Sequence, residues 1–135
     1  MTTLEAAPLL LTNLLERVRA AWPGGPWEWD GRFGCALSTV AKQHEAAARA
    51  AVLAGLPASW TETALAEAPT AIQRLCAAVG GLRGAQLVFA AELGDGALAY
   101  CLWWPWGSGA NVSARIGATE PGKLNAVVRS TLGIR

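Results

Sequence analysis

Apolar residues recur at helical spacing over Leu11, Leu14, Leu15, Val18 and Trp22, with Asn13, Glu16, Arg17 and Arg19 on the other side. This pattern predicts an amphipathic N-terminal helix. Thr2 and Glu5 have capping-box spacing, although Pro8 suits the first turn better. Pro23-Gly24-Gly25-Pro26 cannot continue a helix, so the helix ends near Trp22. The period then falls to two. Trp27 and Trp29 alternate with Glu28 and Asp30, and Phe33, Cys35 and Leu37 alternate with small residues. Asp30-Gly31 is a tight-turn pair, so two short strands joined as a hairpin are expected. Ser38 and Thr39 offer caps for a helix over about 40–54, closed by Gly55-Leu56-Pro57. Ser59-Trp60-Thr61-Glu62 has the spacing of another capping box and predicts a short helix. Pro69 interrupts it, and a cleaner helix carries Ile72, Leu75, Cys76 and Val79 before Gly80-Gly81 stops it.

Beyond Leu82 the chain reads as strands over 85–93, 97–104 and 110–116. Gly94-Asp95-Gly96 and residues 106–109 supply the turns. Thr119-Glu120-Pro121 opens a last helix bearing Leu124, Val127, Val128 and Leu132, and Gly133-Ile134 resembles a glycine cap. The expected architecture is one α+β domain spanning 1–135, with element order α-β-β-α-α-β-β-β-α. Its antiparallel sheet has about five strands, an N-terminal hairpin plus a C-terminal meander, packed with three to four helices.

The two faces of the middle meander strand decide how that sheet is covered. Leu98, Tyr100, Leu102 and Trp104 point one way, and Ala97, Ala99, Cys101 and Trp103 the other. Neither set is polar, so both faces need cover from helices or from another subunit. The last strand instead alternates Val112, Ala114 and Ile116 with Asn111, Ser113 and Arg115, as an edge or outer strand would. Covering both faces of five strands with so few helices is tight, and a homodimer is expected.

Composition narrows the function classes. Hydrophobic residues make up 53% and charged residues 16% of the 135 positions, which excludes a disordered chain. Eleven basic and ten acidic residues leave a net charge of +1, without the electrostatic footprint of a nucleic-acid or membrane binder. No secretory signal or membrane-length apolar run is read, and Cys35, Cys76 and Cys101 form no close pair, so reduced thiols in a cytoplasmic bacterial protein are expected.

Candidate chemistry is sparse. Trp103-Trp104-Pro105-Trp106 is the most unusual feature, read as an interface or core cluster with Trp104 inside and Trp103 and Trp106 as interface anchors. The alternative is a ligand pocket walled by Trp27, Trp29, Trp103 and Tyr100, with polar contacts from Glu28, Asp30 or Arg115. Glu28 and Asp30 share a strand face opposite Trp27 and Trp29, which reads as a solvated face. His44 is the sole histidine, and neither a zinc-ligand spacing nor a thiol–imidazole signature accompanies it. The arginines are dispersed in sequence, with no run to attract a polyanion. No catalytic residue, metal or cofactor is assigned. The expected activity is binding, to a second copy and to an unidentified protein partner.

The order helix, two strands, helix, three strands, helix is similar to that of the Roadblock family, most closely over 116–132, where a strand runs into an amphipathic helix. The resemblance implies a small homodimeric platform of the kind often associated with small GTPases. The broken helical region 59–79 departs from that order, and no site residue transfers from it.

Overall fold

Six strands pair in one antiparallel sheet, in the order β1-β2-β6-β5-β4-β3, and helices pack on both of its faces. The computed structural model describes residues 6–94, 96–119 and 123–134. Its elements are α1 (Ala7–Ala21), β1 (Glu28–Asp30), β2 (Cys35–Ala41), α2 (Glu45–Gly55), β3 (Ala58–Thr61), α3 (Thr70–Ala78), β4 (Leu87–Gly94), β5 (Ala97–Pro105), β6 (Asn111–Ala118) and α4 (Lys123–Thr131). The expected α+β class, hairpin and meander are all present. The caps placed on Thr2–Glu5 and on Glu120–Pro121, and the turn residue Asp95, lie outside the described residues.

Helices α1, α2 and α4 pack their apolar stripes on one face, where Leu11, Leu15, Val18, Val52 and Val128 meet Ala36, Val40, Ala114, Ile116 and Trp103. The helices approach closely. A Cβ on Gly55 of α2 would lie 2.6 Å from the Leu14 carbonyl oxygen of α1. On the other face α3 brings Ile72 and Cys76 onto Val88, Ala90, Leu98, Tyr100 and Leu102. Strand β5 is therefore apolar and buried on both sides, and its cover comes from within the chain. That strand makes no demand for a second subunit.

Three local expectations are corrected. Ser38 and Thr39 do not cap a helix, because β2 runs on to Ala41 and a 3-10 turn, Lys42–His44, leads into α2. Buried Ser38 accepts a hydrogen bond from Trp22 Nε1 (2.9 Å) and donates one to the Gly25 carbonyl (2.7 Å), so its hydroxyl is satisfied inside a strand. The segment around Ser59 and Trp60 is no capped helix either. It is the edge strand β3, paired with β4 through Trp60 and Val88, and it makes the sixth strand. Cross-strand pairing there outweighs the local capping pattern; Thr61 Oγ1 bonds within the turn that follows, accepting from the Ala64 N–H (3.3 Å) and sharing a hydrogen bond with Thr63 Oγ1 (3.1 Å). Finally, β6 is no edge. It lies between β2 and β5, and its alternation has another cause.

Two helix ends match expectation. Gly81 N–H donates to the Cys76 carbonyl (2.7 Å) and Ile134 N–H to that of Arg129 (2.8 Å), with Gly80 and Gly133 at positive φ. Both are six-to-one glycine caps. Helix α3 therefore stops short, and that stop shapes the surface beside it.

Candidate functional site

Cross-strand pairing places Leu37 beside Arg115, Thr39 beside Ser113 and Ala41 beside Asn111 on the α3 side of β2 and β6. All six are half-exposed, because α3 lies over β4 and β5 and no described helix covers this half. The polar alternation of β6 thus marks missing cover in the middle of the sheet. Trp104 pairs with Ser113, and Trp106, 46% exposed, donates its indole N–H to the Ser113 hydroxyl (2.9 Å).

At the end of this face the β1–β2 turn and β6 build a charged aromatic cluster. Arg115 Nε donates to Asp30 Oδ2 at 3.0 Å, and the two side chains are only 15% and 12% exposed. The Arg115 guanidinium carbon sits 4.5 Å from the Trp104 ring centre and 5.3 Å from that of Phe33. Phe33 stands edge-on to Trp104, with centroids 5.5 Å apart. The Arg32 guanidinium lies over the other ring in reach, at 4.8 Å from Phe33, while its backbone N–H donates to Asp30 Oδ1 (3.0 Å). Burial alone would raise the Asp30 carboxyl. The hydrogen bond from Arg115, backbone N–H groups of Arg32 and Phe33, and the Arg115 charge outweigh it and hold the pKa below its ordinary value. A cleft of about 320 Å³ opens here, bounded by the cluster, by Gly80 and Gly81 after α3, and by Arg83 and Gln86.

The structure separates several residues that the sequence reading grouped. Trp103 is fully buried against Phe89 and Trp104 is half-open, the reverse of the expected assignment, since Trp103 faces the three-helix side and Trp104 the sparsely covered one. Trp103 therefore offers nothing to a partner. Trp27 and Trp29 also face the three-helix side, where Trp27 packs with Trp22 and Trp29 lies under Arg129. Tyr100 is buried beneath α3 on the opposite face. Those four side chains form no common pocket. Of the candidates, Arg115, Asp30 and Trp106 do reach one surface. Asp30 is not solvated, as its strand position suggested, but paired.

Arg32, Phe33 and Arg83 were not singled out from sequence. Arg32 and Phe33 join Arg115 through the β1–β2 turn and the β2–β6 register, and Arg83 through the loop between α3 and β4, none of which a short-range pattern encodes. All three cysteine thiols are buried. Burial, with the Asp30 charge adding to it, pushes Cys35 up to about 12, and burial also raises Cys76, Cys101 and Tyr100. A thiol held so high is almost wholly protonated at neutral pH. His44 is exposed on its 3-10 turn beside Gln43. Among the described residues no three His, Cys, Asp or Glu side chains converge as metal ligands, and no helix is long and apolar enough to cross a membrane. No family model, curated protein or solved structure matches the chain.

Proposed function

We propose that the protein acts by binding, and that it self-associates through the uncovered half of the α3-side sheet face. The observation that carries this reading is the continuous row of half-exposed residues from Arg115 and Leu37 through Thr39 and Ser113 to exposed Trp106. Trp and Arg are the residue types that most often anchor interfaces. Glu28 lies on the same face, paired through Leu37 to Arg115, so the patch carries both signs of charge and can meet itself across a two-fold axis. A net charge of +1 leaves little repulsion between copies.

Sedimentation velocity across a dilution series tests the reading. The wild-type chain should form a dimer at micromolar concentration. Thr39→Arg, at the centre of the patch, should remain monomeric while keeping its circular dichroism spectrum and, at concentrations where the wild type is also monomeric, its melting temperature. A wild-type monomer throughout the series rejects self-association.

A further inference from the structure

We infer that the cleft between Arg115, Arg32 and Arg83 binds a small molecule that joins a carboxylate or phosphate group to a flat apolar body. Three guanidinium groups line it and its lining includes no carboxylate. Asp30, just behind, is occupied by Arg115 through one oxygen and by the Arg32 N–H through the other. It offsets a single positive charge, leaving a formal surplus of two.

Arg115 is the recognition element. Trp104 and Phe33, set at 84° to each other, bracket its guanidinium from two sides, and Asp30 holds its Nε. The two terminal nitrogens bond nothing among the described residues, although the side chain is only 15% exposed. A guanidinium fixed in orientation with its outer N–H groups unpaired matches the two oxygens of a carboxylate or phosphate, and its pre-ordering lowers the entropy lost on binding. Arg32 and Arg83, both exposed, stand where they can close on the same anion. The volume, about 320 Å³, exceeds what a bare phosphate fills and falls at the small end of ligand pockets. The remaining space is bounded by Val79, Gly80 and Gly81 as well as by Phe33 and Trp104, apolar side chains and glycines that suit a ring.

Calorimetric titration with phenyl phosphate, benzoate, inorganic phosphate and neutral phenol tests the inference. Phenyl phosphate or benzoate should bind saturably and weaken as salt is raised. The tighter of the two identifies the oxyanion. Inorganic phosphate should bind about tenfold or more weakly than phenyl phosphate, and phenol should give no saturable signal. Replacing Arg115 risks leaving Asp30 unpaired, so the informative variant is the double change Arg32→Gln and Arg83→Gln on exposed positions. It should keep the wild-type melting temperature and bind the preferred anion about tenfold or more weakly. No saturable binding of either aromatic anion, or equal affinity in the double variant, overturns the site. Equal affinity for phenyl phosphate and inorganic phosphate overturns the ring-binding wall. Arg115 borders both this cleft and the proposed contact row, so a second copy and the ligand compete for it: Thr39→Arg, held monomeric, should bind the anion at least as tightly as wild type, and weaker binding in that monomer would overturn a site built by one chain alone.

Discussion

Along β2 and β6, Ala36, Val40, Val112, Ala114 and Ile116 are sealed under α1, α2 and α4, whereas their neighbours Leu37, Thr39, Ser113 and Arg115 are half-open on the reverse face of the same strands. The difference is one of helix supply. A helix is about 10 Å across and covers about two strands spaced ~4.8 Å apart, so six strands need about three helices. One face has three. The other has the nine-residue α3 with its flanking loops, and these cover β4 and β5 while leaving β2 and β6 wet. The first face is thus a core whose residues are chosen for volume. The second carries the polar and aromatic side chains that a partner or ligand can reach.

Substitutions on the sealed face should break the fold, and the largest effect is expected at Trp103. Removing this fully buried ring in Trp103→Ala should cost about 3–5 kcal/mol in urea unfolding. A loss below about 1 kcal/mol would contradict a packed interior there. Next comes Gly55→Ala. The added Cβ meets the Leu14 carbonyl at 2.6 Å, so α1 and α2 must separate, at about 1–3 kcal/mol. An unchanged unfolding midpoint would show that this face yields more easily than its close contacts imply.

The same contrast explains what could be read from the chain beforehand. Strand β5 was legible because eight consecutive apolar residues, 97–104, leave neither face polar, whatever covers them. The glycine caps after α3 and α4 were legible because they are local. Ser38 was misread because a serine before an alanine-rich stretch caps a helix in isolation, and its indole and carbonyl partners come from the loop before β1. β3 was misread because its partner β4 lies 26 or more residues away. Trp103 and Trp104 were exchanged because alternation assigns them to opposite faces without saying which face has more helices. The charged cleft was hidden for a similar reason: Asp30 and Arg115 are 85 residues apart.

At the border of the open face, Asp30→Asn sharpens the comparison through pH. Asn keeps the shape but loses the charge, and its NH2 group replaces one of the two oxygens that accept from the Arg115 Nε–H and the Arg32 N–H, so the loss at neutral pH should be about 1–2 kcal/mol. Because the Asp30 pKa is lower folded than unfolded, its stabilisation is complete above the ordinary aspartate value of 3.8 and is lost as pH falls through the lowered folded value. Wild type should therefore lose stability down that acid limb and Asp30→Asn should lose less, so their melting curves converge. Parallel curves would mean that Asp30 titrates normally and the pair is loose.

The smallest effect on stability is expected at Trp106, and it separates the two faces most cleanly. The ring is 46% exposed and, among the described residues, its one polar contact is the Ser113 hydroxyl. Trp106→Ala should shift unfolding by no more than about 0.5 kcal/mol, as is usual for surface positions. If the open face is the contact surface, the same change should move the dimer dissociation midpoint to higher concentration, by roughly thirtyfold for an anchor worth about 2 kcal/mol. Two tryptophans three positions apart would then divide their work completely, Trp103 acting on folding alone and Trp106 on association alone. A Trp106→Ala chain that is markedly less stable, yet associates as wild type does, would place Trp106 in the fold's own packing and move the contact surface elsewhere.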